Sequence, residues 1–574
     1  MKPCTKRRLL PLAALLGAAC TQAMADSAAI KINQVGFPPA AQKLAVVPAG
    51  KAAAFIVVDA HTGKPVLREK LGEPKPWDVS GETVRIADFT ALKTPGRYRL
   101  RVAGLPDSAP FDIQGNVYRA LNIGALKAYY YNRASTALLP QHAGIYARAA
   151  GHPDTEVLVH ASAASAGRPE GTVISAPKGW YDAGDYNKYI VNSGISTYTL
   201  LAAWEHFPQY FKAQDSNLPE SGNGMPDIVN EALWNLDWML AMQDPGDGGV
   251  YHKLTDKDFD GMVMPDQPHA TRYVVQKSTA AALDFAAVMA VASRVMAPFE
   301  RQRPGLSARM RQAAEAAWGW AQAHPDQIYR QPADIVTGDY SDSKLADEFA
   351  WAAAELYITT GKDSYYQAMR PGRLPAGVPS WGNVGGLAWI SLAHHLPRLT
   401  PAADKALITR RITSLADQLR DTWSQSPYRV PLKKTDFVWG SNAVLLNQAM
   451  VLLHAYRIGR NQQPGYLQAA QSALDYVLGR NATGYSFVTG FGAHPAMHPH
   501  HRPSEADGIS APVPGWLVGG PNPGQEDIKN CKSYPSALPA LSYLDHVCSY
   551  ASNEVAINWN APLVYVSAAL NSLQ

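Results

Sequence analysis

The sequence predicts a mostly α protein, a ring or barrel of helices preceded by a small all-β sandwich. Three observations carry that prediction. Between Ile30 and Ile113 apolar residues come in short runs and period-two alternations broken by turn residues. From Tyr118 onward they recur at helical spacing through one segment after another. The 574 residues also exceed what a single core usually organises, so at least two domains are expected. With 47% hydrophobic and 17% charged residues, the chain reads as packed and globular, not disordered.

The chain opens with a leader. Lys2, Lys6, Arg7 and Arg8 form a basic start, and the apolar run Leu9 to Ala19 is too short to span a bilayer. Ala23-Met24-Ala25 fits a small-x-small cleavage pattern, so residues 1–25 read as a signal peptide and the protein as secreted or periplasmic. Gly17-Ala18-Ala19-Cys20 resembles a lipoprotein box but has Gly where Leu is usual, which makes an anchor the lesser reading. Loss of the leader removes four positive charges and no negative ones from 52 Lys+Arg and 48 Asp+Glu, leaving a neutral chain. That argues against a nucleic-acid or anionic-membrane partner, and no later apolar run is long enough for a membrane span. It leaves Cys531 and Cys548 as the remaining cysteines, either a disulfide in an oxidising compartment or two buried thiols.

Residues 26–115 form the expected β-domain. "AAFIVVDA" is a buried strand and "GRYRLRV" alternates, with Thr62-Gly63-Lys64, Ser80-Gly81 and Pro95-Gly96 marking turns. The remainder, 116–574, is helical: "YRALNIGALKAYYYNR", "ISTYTLLAAWEHF", "STAAALDFAAVMAVASRVM", "SNAVLLNQAMVLLHAYRIG" and others like them. Many apolar faces are rich in Ala, which allows close helix–helix approach. No short repeat of fixed period appears, which disfavours a solenoid.

Three constellations carry chemistry. In "GWYDAGDYNKYIVNSG" Asp182 and Asp185 sit in a Gly-bounded loop walled by Trp180, Tyr181, Tyr186 and Tyr189. An Asx turn or N-cap pair would use the same residues. "GYSFVTGFGAHPAMHPHHRPSEADG" brings His494, His498, His500, His501 and Arg502 together. Pro499 and the irregular spacing do not give a helical pair of metal ligands, and hydrogen bonding to a polyhydroxyl ligand suits these residues as well. In "SYLDHVCSYASNEVAINWNAPLVY" Glu554 stands in a mostly apolar setting, where it can stay protonated as a general acid, or serve as a helix-N-terminal acid. Two ionisable aspartates, a carboxylic acid and an aromatic, His-rich wall are what glycosidic hydrolysis needs. The 14 Trp and 27 Tyr supply flat faces for sugar rings.

These motifs resemble glycoside hydrolase family 9, the cellulase family whose bacterial members carry an N-terminal immunoglobulin-like domain. "IKINQVGFPPAAQKLAVV" resembles the start of that domain, and "GWYDAGDYNKY" the family's Asp-Ala-Gly-Asp loop. The histidine signature is met at Ser486, Val488, Thr489, Gly492, Pro499, His500 and Arg502, and departs at His494. The acidic signature is met at Tyr543, Asp545, Tyr550, Glu554, Ala556, Asn560 and Ala561. The resemblance implies an (α/α)6 barrel and inversion at the anomeric carbon. It implies Asp185 as general base, Asp182 as the residue that helps hold the attacking water, and Glu554 as general acid. His500 and Arg502 would bind the adjoining sugar, with Trp439 and His252 as further sugar contacts and Tyr181 in the wall of the site. It implies no cofactor for the chemistry, but a structural calcium at Ser343, Asp347 and Glu348, residues that would otherwise cap a helix. The expected activity is endo-1,4-β-glucanase on cellulose or a related β-glucan. The alternatives are exo-action on short glucosyl or glucosaminyl oligosaccharides, and a non-catalytic carbohydrate-binding protein on the same scaffold. A binder has no need of Asp182, Asp185 and Glu554.

Overall fold

The computed structural model describes residues 29–574 apart from 268, 269, 460 and 461. The leader and its Cys20 box lie outside the described residues. Eight strands build the first domain: β1 (Gly36–Phe37), β2 (Leu44–Pro48), β3 (Ala54–Asp59), β4 (Pro65–Lys70), β5 (Lys75–Trp77), β6 (Glu82–Asp88), β7 (Gly96–Val102) and β8 (Phe111–Ile113). They form two sheets, ordered β1-β8-β7-β3-β4 and β2-β6-β5. Period-two alternation works as expected in β7, where Tyr98, Leu100 and Val102 point inward. Their core is aromatic, with Phe37 edge-on to Phe89 at 5.3 Å and to Phe111 at 5.7 Å.

Twelve helices make the barrel: α1 (Arg119–Tyr131), α2 (Ile190–His206), α3 (Asp227–Ala241), α4 (Thr279–Met296), α5 (Leu306–Ala323), α6 (Ala346–Thr360), α7 (Asp363–Ala368), α8 (Gly385–His395), α9 (Lys405–Gln425), α10 (Ser441–Ile458), α11 (Pro464–Val477) and α12 (Ile557–Leu573). The even-numbered helices pack each on the next, and α12 closes on α2. This inner ring is buried almost all round, as its Ala-rich, uniformly apolar sequences require. Among the outer helices α9 buries a single stripe, Ile408, Ile412, Ala416, Leu419 and Trp423, while α3 and α11 bury most of their length. The result is the (α/α)6 barrel. The segment Thr279–Phe299 is long and apolar enough to cross a membrane, but it is α4 and its continuation, buried in the inner ring.

One sheet escapes sequence analysis. Strands β9 (Val157–Val159), β10 (Val173–Ile174), β11 (Lys188–Tyr189), β12 (Lys253–Thr255) and β13 (Tyr273–Val274) pair in the order β10-β9-β13-β12-β11. Each is two or three residues long, below what periodicity detects. They tie the long connections before α2 and α4 into one platform.

The β-domain docks through specific contacts. Trp77 stacks on Tyr428 at 4.1 Å, and the Tyr428 hydroxyl donates to Glu82 at 2.7 Å. The Gln34 amide donates to Gly484 O at 2.8 Å, and its Oε1 accepts from the N–H groups of Ala493 (2.9 Å) and His494 (2.8 Å). One β-domain side chain therefore pins the start of the histidine-rich loop.

Candidate active site

Five inner helices begin beside one cleft of about 890 Å³. Asp182, Asp185 and Tyr189 precede α2, Tyr340 precedes α6, Trp381 precedes α8, Val438 and Trp439 precede α10, and Glu554 and Ala556 precede α12. Closure of the ring brings these connections to one end of the barrel. The three constellations are joined there through backbone. His500 N–H donates to Asn553 O (2.9 Å), Arg502 N–H to Gly184 O (3.1 Å), and Ile557 N–H to Asp182 O (2.9 Å). The glycine of Asp-Ala-Gly-Asp is required by this approach: a Cβ at Gly184 would lie 2.1 Å from His500 O.

Asp182 is 2% exposed. Its Oδ1 accepts from Asn192 Nδ2 at 2.6 Å and its Oδ2 from the Tyr340 hydroxyl at 2.7 Å. Burial, and then the neighbouring Asp185, push its pKa up to about 8. Asp185 accepts from the Asn187 amide, whose own Oδ1 is fixed by Thr255 Oγ1 (2.8 Å) and Asp256 N–H (3.1 Å). Burial first, then Asp185 and Asp182, hold the Glu554 carboxyl well above the usual range; Arg502 opposes this less strongly. Asp182 and Glu554 therefore keep their protons near neutral pH.

The flanking groups are oriented by backbone. His500 Nδ1–H donates to Val547 O at 2.6 Å, and burial lowers the ring's pKa, so the imidazole stays neutral. Arg502 Nη1 donates to Gly184 O (2.8 Å), while its Nε and Nη2 donate to Asp260 O (3.0 and 2.8 Å). The guanidinium thus braces two loops at the cleft wall. Trp439 is 43% exposed at the rim beside Tyr550, its face free for stacking. Tyr340 holds φ at +47°, a left-handed conformation unfavourable for a bulky side chain. Such a residue persists only where its surroundings fix it, and here the Asp182 hydrogen bond does so.

The model for glycosyl hydrolase family 9 matches residues 118–567, and that for the cellulase N-terminal ig-like domain matches 25–107. The chain belongs to glycosyl hydrolase family 9. It is 46% identical to a xyloglucan-specific endo-β-1,4-glucanase of Bacteroides ovatus, over 97% of this chain and 96% of that protein. It is 33% identical to endoglucanase D of Acetivibrio thermocellus, over 94% of this chain and 83% of that one. The solved Bacteroides ovatus family 9 structure superposes with a TM-score of 0.89 at 44% identity, covering 95% of this chain and 99% of that one. As a family 9 member the protein is a glycosidase.

Two residues expected at this family 9 site lie elsewhere. Tyr181 is fully buried, its hydroxyl bonded to His152 Nδ1 at 2.9 Å, so it supports the aspartate loop from beneath and does not line the cleft. The reason is local: Tyr181 bonds back to Asn132 through its N–H while its neighbour Asp182 faces the cleft. His252 is also buried. Its ring stacks on Tyr329 at 3.9 Å and bonds Ser278 and, through Nε2–H, Asp339 O at 2.8 Å. It thereby anchors the segment that carries Tyr340. Sequence reasoning missed Tyr340 and Trp381, which stand in separate connections with no motif of their own, and passed over Trp559 in the first turn of α12 although it lies within the Glu554 stretch.

The family's calcium expectation is testable against the donors present. Ser343 lies exposed on the approach to α6. Asp347 accepts the Val384 N–H at 2.8 Å. Glu348 Oε2 and both Asp284 oxygens are buried without a hydrogen-bond partner among the described residues. Asp342 and Asp347 raise the Asp284 pKa further after burial. Among the described residues these four carboxyl groups form no ion pair with Lys or Arg, though Lys344 lies near Asp342, and burial and mutual repulsion raise the pKa of Asp284, Asp342 and Glu348; an oxygen-only donor set of this kind suits a hard cation. Asp284 was not anticipated because it stands in α4, far from the Ser…Asp-Glu segment, whereas Asp342 directly precedes Ser343 and was passed over. Cys531 and Cys548 form a disulfide, so their sulfurs are not metal ligands beside His546.

Proposed function

We infer that this family 9 glycosidase is an inverting endo-β-1,4-glucanase, with Asp185 as general base, Glu554 as general acid and Asp182 as the second residue holding the water. The observation that carries the reading is the meeting of Asp182, Asp185 and Glu554 in one cleft, where burial and the two aspartates favour the protonated form of Glu554. A protonated acid gives its proton to the leaving oxygen while a carboxylate takes one from water. His500 and Trp439 hold the adjoining sugars by hydrogen bonding and stacking. The endo character draws support from the endoglucanase relatives.

Xyloglucan is the glucan we place first. Phe259, Val336, Val438 and Trp439 leave an apolar rim exposed on the cleft, suited to sugar faces beyond the main chain. The 46% identical relative carries that substrate in its name. A calcium ion at Asp284, Asp342, Asp347 and Glu348 would be structural, fastening α4 to α6. The basic–apolar leader and the disulfide support export from the cytoplasm. A product profile on xyloglucan, cellulose, mixed-linkage glucan and chitosan oligomers tests the assignment. Internal cuts with falling viscosity on xyloglucan are expected; single sugars released from chain ends alone would replace it with an exo-enzyme.

A further inference from the structure

Lys253, the first residue of β12, is fully buried. Its Nζ donates to Gly338 O (2.7 Å), Gln331 Oε1 (3.0 Å) and Thr337 Oγ1 (3.0 Å), all neutral acceptors on the connection before α6. Among the described residues no carboxylate pairs with it directly, and a buried charge without a counter-ion is costly. The carboxylates whose charge reaches it are Asp185 and then Asp339. The rings of Tyr189 in β11 and Tyr329 face it at 5.5 and 5.7 Å. Lys188 of β11 is bonded to Asp154 instead, and the neutral His252 ring to Ser278 and Asp339. A chain of hydrogen bonds runs from Lys253 to Asp185. Thr337 Oγ1 meets Thr255 Oγ1 at 2.6 Å, Thr255 Oγ1 donates to Asn187 Oδ1 at 2.8 Å, and Asn187 Nδ2 donates to Asp185 Oδ2. Its ends fix its direction, because an ammonium only donates and a carboxylate only accepts. Asp256 N–H also donates to Asn187 Oδ1 (3.1 Å), which turns the amide nitrogen to Asp185. Thr255 Oγ1 lies 2.7 Å from Asp256 O as well, so its proton is shared between two acceptors.

We propose that Lys253 is a positioning residue for the general base, acting on Asp185 through Thr337, Thr255 and Asn187. This rests on the reading of Asp185 as that base. Donors aligned from a cation to a carboxylate polarise one another, so the charge of a distant lysine is felt at the last bond. The chain occupies Asp185 Oδ2 and leaves Oδ1 as the oxygen that takes the proton of water. It also favours negative charge on Asp185 in a cleft shared with Asp182 and Glu554. Burial lowers the Lys253 pKa to about 7, with Asp185 and then Asp339 opposing. The lysine therefore carries its charge on the acid side of neutrality, where protonation of a base limits the rate. It does not line the cleft, so it acts on the base and not on the sugar. The platform of short strands thereby gains a role, since β12 carries both Lys253 and Thr255.

The experiment is the pH dependence of kcat/KM on a soluble cello-oligosaccharide for the full chain, Lys253→Met, Lys253→Arg and Thr255→Val. Lys253→Met removes the charge, and its acid limb should move up by about one pH unit, which lowers kcat/KM about tenfold on that limb. The loss should fall on kcat, with KM unchanged. Lys253→Arg, which keeps the charge, should return the limb most of the way. Thr255→Val breaks the chain and leaves both charges in place; its limb should move in the same direction by less. An unmoved limb in Lys253→Met or Thr255→Val, or a loss equal at every pH, overturns the proposal. Asp185→Ala reports separately on the base. If it stays active, the base reading fails; if it is inactive while Lys253→Met leaves the limb in place, the role of Lys253 alone fails. Should Lys253→Met not fold, NMR of nitrogen-labelled lysine in the full chain decides, because two coupled charges act on each other equally. The Lys253 titration midpoint should be lower in Asp185→Asn than in the unaltered protein, and an equal midpoint overturns the proposal.

Discussion

The carbonyl oxygen of Asp182 accepts the backbone N–H of Ile557 at 2.9 Å. One hydrogen bond thus links the loop of the two aspartates to the first residue of α12, three positions after Glu554. The proposed base Asp185 and acid Glu554 are carried on one backbone frame, so their separation is set by the barrel rather than by side-chain freedom. For an inverting enzyme that separation should be roughly 6.5–9.5 Å, leaving room for a water. Proton NMR of the first product should show the α-anomer; a β-anomer would end the inverting assignment.

Asp185→Ala should lower kcat by about 100-fold or more, and further than Asp182→Ala does. Azide, a small external nucleophile, should restore part of the Asp185→Ala activity. Near-normal turnover in that variant would move the base role to another residue.

Glu554→Gln should abolish hydrolysis of natural glucans while sparing an activated fluoride donor, whose leaving group needs little protonation. In the unaltered enzyme the alkaline limb of kcat should lie above the ordinary carboxylate range, because ionisation of Glu554 removes the acid. Equal losses on both substrates would exclude Glu554 as the acid.

Asp182 gives a stability prediction of definite sign. Its folded pKa is raised to about 8 from 3.8, so the folded state binds a proton that the unfolded state has released. Stability should therefore fall as pH rises from near 4 to near 8, by up to about 1.4 kcal/mol per pH unit for this group. Asp182→Asn, neutral at every pH, should melt later than the unaltered protein at pH 8 and show a flatter Tm profile, although inactive. A variant melting earlier at pH 8 would contradict the raised pKa.

Trp77→Ala should remove the Tyr428 stack between domains and lower stability by about 3 kcal/mol. Urea denaturation measures it, and turnover below the transition should be retained. Reduction of Cys531–Cys548, which encloses a separation of 17 residues, should cost about 3 kcal/mol in a thermal melt with and without reductant. Activity on natural glucans should fall first, since Tyr550 and Glu554 follow the bridge directly.

The sequence by itself determined the two architectures and singled out the three carboxyls proposed for catalysis. Period two in β7 and apolar residues around every face of α2, α4 and α12 are local properties, each readable within one segment. Asp182 and Asp185 were legible because they sit in a dense motif of Gly and aromatic residues, and Glu554 because it stands in a mostly apolar, aromatic stretch just before a helix. Tertiary structure alone decided which side chains share the cleft. Tyr181 and Asp182 are adjacent, yet one supports the loop from below and the other faces the cleft, because the Gly-bounded loop turns between them. Tyr340, Trp381 and Trp559 join the site only when ring closure gathers the starts of the inner helices at one end. Asp284 meets Glu348, and Lys253 meets Thr337, across connections whose approach no single segment encodes. Local periodicity fixes what each helix buries; the long-range packing of the inner ring fixes which loops meet.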